Sequence, residues 1–129
     1  MVTALPRTAA PPLLDIRQLR IAFPGRAGPV EAVRGLDLEL RRGQTLALVG
    51  ESGCGKSTTA LAVLRLLAPG AQVSGRILLQ GRDILALPPA ELRAIRGRDI
   101  AMVFQEPMTS LNPVHTIGEQ ITETLRLHA

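Results

Sequence analysis

The period of apolar and polar positions changes several times along the chain, and each change marks an element. Ile16, Leu19 and Ile21 stand among polar neighbours in Leu13–Phe23, which predicts a first strand. Pro24, Gly25, Gly28 and Pro29 then supply turn chemistry. Val30–Val33 reads as a short second strand. Leu36, Leu38 and Leu40 alternate with Asp37 and Glu39, the period of two expected of a half-buried strand. After a tight turn at 41–44, the run Thr45-Leu46-Ala47-Leu48-Val49 is apolar on both faces. That is the pattern of a strand buried between helices in a parallel sheet.

A glycine-rich loop follows at Gly50–Ser57 and opens a helix from about Ser57 to Leu67, which Pro69-Gly70 should stop. Gly75–Gln80 reads as another strand, closed by Gly81. Pro88-Pro89 opens a short helix through about Ile95, since proline is tolerated in a first helical turn. Ile100–Phe104 is a strand candidate, and the stretch to Pro113 is irregular. From Thr116 onward the apolar positions return to helical spacing, with Glu119 in the first turn. Strands alternating with helices make the expected class α/β. Residues 1–12, rich in proline and alanine, read as a disordered tail rather than a secretory signal.

Composition narrows the classes. The chain has 129 residues, 46% of them hydrophobic and 20% charged, which suits one domain with a real core. No apolar run approaches the roughly 20 residues that span a bilayer. A single cysteine, Cys54, rules out an internal disulfide and fits a reducing cytosol. The net charge of +4 rests on scattered arginines, and only Phe23 and Phe104 are aromatic. A stacking platform for single strands is therefore missing, and nucleic acid is not an expected partner. Lys56 is the only lysine among fifteen basic residues, and it lies inside the glycine-rich loop.

Gly50-Glu51-Ser52-Gly53-Cys54-Gly55-Lys56-Ser57 fits the phosphate-loop pattern G-x-x-x-x-G-K-[ST], and Thr58 follows it. Each fixed position answers a demand of holding a triphosphate. Glycines let the backbone turn into left-handed conformations and approach the phosphates closely. Successive N–H groups then form an anion nest, completed by the positive end of the helix. Lys56 offers a mobile charge to the β- and γ-phosphates, and Ser57 a hydroxyl to Mg²⁺. Cys54 reads as a small residue tolerated where the backbone makes the contacts. A sharper reading makes it a thiol acidified by Lys56 and the helix terminus.

Phosphate loops serve kinases, GTPases and transporters alike, so the rest of the chain must choose. No guanine-reading motif is present. Ile100-Ala101-Met102-Val103-Phe104-Gln105-Glu106-Pro107-Met108-Thr109-Ser110-Leu111-Asn112-Pro113 resembles the glutamine-loop region of ATP-binding cassette (ABC) ATPases. More narrowly it is similar to the ATPases of peptide, dipeptide and nickel importers. Ile117-Gly118-Glu119-Gln120-Ile121 and Gly50-Glu51-Ser52-Gly53 agree with that subfamily, and the resemblance covers Leu13 to His128.

The resemblance implies a P-loop NTPase-type nucleotide-binding core over 13–105. Residues 106–129 then carry the rest of the glutamine loop and the start of the helical subdomain, where the chain is truncated. It implies ATP and Mg²⁺ as cofactors, with Gln105 joining Ser57 as a metal ligand and coupling the core to the helical subdomain. Phe23 falls where the family places the aromatic that stacks on adenine, although a phenylalanine at a strand end is also an ordinary core residue. Implied partners are transmembrane permease subunits and a second ABC ATPase in a head-to-tail dimer, with the protein peripheral on the cytoplasmic face of the plasma membrane. The family's signature Leu-Ser-Gly-Gly-Gln run, second acidic motif and switch histidine are not found. Asp83 and Asp99 do not follow buried apolar runs, and His115 and His128 read as solvated. The chain is thus expected to bind ATP without turning it over efficiently and holds no complete catalytic set. The alternative is a non-hydrolysing nucleotide-binding module or an inactive truncated remnant.

Overall fold

A computed structural model describes residues 11–51, 55–103 and 112–128. The chain divides into two compact units, Met1–Leu87 and Pro88–Ala129.

The first unit is built on an antiparallel sheet of four strands. In chain order they are β1 (Leu14–Phe23), β2 (Val30–Leu40), β3 (Gln72–Leu79) and β4 (Arg82–Asp83), arranged β2-β1-β3-β4. Helix α1 (Lys56–Val63) lies between β2 and β3 in sequence, and a single 3₁₀ turn (Ile84–Ala86) follows β4. One sheet face is apolar: Ile16, Leu19, Ile21, Val33, Leu38, Ile77 and Leu79 are buried there, and Ala62 and Val63 of α1 are buried too. The expected strands at 30–33 and 36–40 are one continuous strand. Gly35, at φ 88°, absorbs an extra residue as a bulge, so Leu19 pairs with Leu36 but Arg20 with Arg34. The β3–β4 turn, Gln80-Gly81, has both φ values positive (50° and 83°), the primed-turn geometry that suits a two-residue hairpin.

Two expected strands are absent from the sheet. Thr45–Val49 runs outside it, and Val49 is 70% exposed. A strand apolar on both faces needs parallel neighbours and covering helices, and the sheet formed by the described residues is entirely antiparallel. Ile100 makes only a single bridge to Arg96, and Val103 is almost fully exposed.

Helix α1 also ends earlier than Pro69-Gly70 suggested. Arg65 takes a left-handed φ of 54°; its N–H donates to Ala62 O (3.0 Å) and that of Leu66 to Leu61 O (2.9 Å). This is a Schellman end, normally a glycine's task. The Arg65 guanidinium holds it by donating to the carbonyl of Leu87 at 2.7 Å.

In the second unit, α2 (Pro89–Ile95) begins on proline as expected and buries Leu92 and Ile95. The last helix, α3 (Ile117–His128), opens with a reciprocal cap. The Glu119 N–H donates to Thr116 Oγ1 (3.1 Å), and the Thr116 N–H donates to Glu119 Oε2 (3.1 Å). The Gln120 amide grips the chain ahead of it, accepting from Asn112 N–H at 2.9 Å and donating to Asn112 O at 3.1 Å. Thr116→Ala is expected to cost α3 about 1 kcal/mol and to fray its first turn. Faster hydrogen exchange at Ile117–Glu119 with unchanged exchange in β1 would register this.

Candidate functional site

The phosphate-loop pattern sits between a segment without regular structure, 45–49, and helix α1, and the geometry at its helical end explains the residue types. Gly55 is the N-cap of α1 with φ 93° and ψ 6°. A Cβ there would lie 2.8 Å from the carbonyl oxygen of Ala32 and 3.2 Å from Val33 Cγ2. Only glycine fits this approach, on both dihedral and steric grounds. Behind it, Thr59 is buried and doubly tied to the Gly55 carbonyl, through its N–H (2.9 Å) and its hydroxyl (2.8 Å). Thr59 supports the last glycine of the pattern, a contact that motif reading missed. Its signal was a hydroxyl four residues after the glycine, where it can bond back along a helix.

The helix terminus left by this arrangement suits an anion. Gly55 offers no side-chain cap, and no acidic residue occupies the first turn of α1. Among the described residues, no carboxylate of the cap or first turn competes for the leading N–H groups and the positive helix end. Lys56 is half-buried and donates from Nζ to the carbonyl oxygen of Gly50 at 2.6 Å, closing the loop across its two ends. Ser57 and Glu51 are exposed, and Thr58 is half-buried. Ser52, Gly53 and Cys54 lie outside the described residues, as does Gln105.

Phe23 is brought to the same region. It is the last residue of β1, half-buried, and pairs with Val30, two positions from the Ala32 carbonyl that Gly55 approaches. His115 is exposed and faces Glu119 at 3.7 Å, and Asp83 caps the 3₁₀ turn by accepting from Leu85 N–H at 3.1 Å. Asp99 pairs with Arg98, whose guanidinium that carboxylate's hydrogen bond and charge hold above its ordinary value.

Among the described residues no cluster of three or more His, Cys, Asp or Glu could cage a metal ion. A Mg²⁺ held chiefly by phosphates and water, with one or two protein oxygens, needs no such cage. Ser57 at the mouth of the helix fits that pattern. No helix among the described residues is long and apolar enough to cross a membrane.

The sequence profile of the ABC transporter family matches residues 33–128. A putative peptide import ATP-binding protein of Brucella ovis is 52% identical over 124 residues, covering 91% of this chain and 37% of the relative. The oligopeptide transport ATP-binding protein OppD of Haemophilus influenzae is 50% identical over 117 residues, covering 91% of this chain and 36% of its own. The glutathione import ATP-binding protein GsiA of Salmonella choleraesuis is 54% identical over 123 residues, 90% of this chain and 20% of that protein. The chain therefore spans about a third or less of these relatives.

Proposed function

We propose that this chain, which belongs to the ABC transporter family, is the phosphate-binding portion of an importer's ATP-binding subunit. The uncapped terminus of α1, preceded by Gly55 and crossed by Lys56, carries the reading. Backbone N–H groups of the loop and first turn surround the phosphates, and Lys56 Nζ exchanges its Gly50 carbonyl for phosphate oxygens. Ser57, through its hydroxyl, and Gln105, through its amide oxygen, would hold a Mg²⁺ ion. The chemistry supplied by that ion when bound would be neutralisation of the phosphate charge. Phe23, at the end of β1, stacks on the adenine.

Peptides are the favoured cargo, because relatives at about half identity are named for peptide and oligopeptide import. In this reading 13–105 serves as the nucleotide-binding core and 106–129 begins a helical subdomain. Permease subunits and a second ATP-binding subunit, set head to tail, are its partners at the cytoplasmic face of the membrane. By itself the chain binds ATP without efficient turnover, because the sequence holds neither an acidic strand end to activate water nor a signature run to close a second site. Titration calorimetry tests this directly. ATP binds the wild type, Mg²⁺ tightens it, and phosphate release stays near the uncatalysed level. Ser57→Ala is expected to remove most of the Mg²⁺-dependent gain, roughly tenfold, with binding in EDTA unchanged. Equal affinities with and without Mg²⁺ in the wild type would overturn the metal assignment.

A further inference from the structure

Strand β1 changes face midway. Ile16 is buried on the apolar side, yet so are Leu19 and Ile21, three and five residues later. Strict alternation would put odd-numbered positions on the opposite side from Ile16. The register explains the switch. From Ile16 to Ile21 β1 advances by five residues, while β3 runs from Ile77 to Val73, a step of four. Against β2, Ile16 pairs with Leu38 and Leu19 with Leu36, again one residue more in β1. The extra residue lies at Gln18, which has a left-handed φ of 48°. Every residue beyond it is flipped relative to the start of the strand. Phe23, two positions past Ile21, thereby joins the apolar face. On that face Val33, the partner of Ile21, reaches Gly55 at the mouth of α1. Were the same residues to alternate regularly, with no bulge at Gln18, Phe23 would share the outer face with Arg17.

A non-glycine residue at positive φ needs support. Gln18 receives it from Asp37 across the β1–β2 ladder, donating its N–H to Oδ1 at 2.8 Å and Nε2 to Oδ2 at 2.7 Å. On the other flank Gly75 leaves room for the displaced backbone, since a Cβ there would stand 2.3 Å from the Gln18 carbonyl oxygen. Asp37 and Gln18 are both exposed and belong to neither the phosphate loop nor α1. Nothing in the loop chemistry requires them.

We infer that Gln18 and Asp37 are positioning residues for base recognition: their two-bond grip fixes the bulge that turns Phe23 toward the nucleotide. The inference rests on the adenine-stacking reading of Phe23. ATP and inorganic tripolyphosphate, which lacks the base, separate the two when titrated with Mg²⁺ into the whole chain. Phe23→Ala is expected to weaken ATP roughly tenfold and leave tripolyphosphate unchanged. Asp37→Ala should reproduce part of that loss, about threefold or more, again for ATP alone. Asp37→Asn should restore ATP affinity, because its amide oxygen still accepts the Gln18 N–H. Gln18→Gly keeps the left-handed backbone but surrenders the side-chain bond, so its loss should be smaller than that of Asp37→Ala. A merely structural role would lower both ligands together. Equal weakening of ATP and tripolyphosphate in Asp37→Ala, or no weakening of either, overturns the inference and leaves the Phe23 reading standing. If Phe23→Ala itself binds ATP normally, the base-stacking reading falls and takes the positioning role with it.

Discussion

Gly75→Ala is expected to destabilise the first unit by on the order of 4 kcal/mol and to leave little of it folded. Two independent terms add at this position. Its φ of +98° lies where an L side chain is strained, which alone is worth ~1–2 kcal/mol. The new methyl would also stand 2.3 Å from Gln18 O and 2.7 Å from both Arg17 O and Gln18 C. All three are backbone atoms, so no side-chain rotation relieves the overlap. Relief requires β1 and β3 to separate in the middle of their ladder, beside the buried Ile16 and Ile77. Gly81→Ala gives the control: its φ is +83°, but nothing lies within 4 Å of the added carbon. Urea midpoints should fall slightly for Gly81→Ala and severely for Gly75→Ala, the difference measuring the clash. Matching midpoints would mean that the sheet yields at the bulge and that Gly75 is not needed to house it.

The parts of the fold that local sequence dictates were legible in it. Proline at the start of α2, the helix start at Thr116 with Glu119 in its first turn and the alternation of Leu36, Leu38 and Leu40 each involve neighbours a few residues apart. What escaped was decided by distant groups. Gln18 is polar and unremarkable in the pattern of β1. Its left-handed turn depends on Asp37, nineteen residues away, and on the bare backbone of Gly75. The end of α1 depends on Arg65 reaching the carbonyl of Leu87, twenty-two residues on, before the Pro69-Gly70 breaker is met. Thr45–Val49 shows the opposite failure. Its apolar character predicts burial on both faces, yet its residues are exposed or half-buried: a strand is completed by neighbours, and the described residues offer it no parallel partner in the sheet. The phosphate-loop pattern stands out in the sequence because the chemistry proposed for it demands glycine and lysine at fixed spacing. The Ala32 carbonyl that excludes a side chain at Gly55 lies more than twenty residues earlier in the chain and carries no motif.

Replacing Lys56 tests the site at its most charged point. Lys56→Ala should weaken MgATP by about 100-fold, or ~2.7 kcal/mol, the upper range for hydrogen bonds to a charged group. The folded protein should lose little stability. Lys56 is half-buried, and its ammonium donates across its own loop to Gly50 O. Thermal unfolding in the absence of nucleotide should therefore begin from nearly the same midpoint in both proteins. Saturating MgATP raises the wild-type midpoint through binding to the native state alone, and the variant should show almost no rise at the same concentration. Lys56→Arg separates charge from shape. A planar fork is longer and cannot fold back to Gly50 O as a compact ammonium does, so retention of charge should recover only part of the affinity. An Ala variant that binds MgATP within threefold of the wild type would place the phosphates elsewhere. The left-handed Gly55, the uncapped helix end and the Lys56 tether would then be features of a turn, with no part in holding the nucleotide.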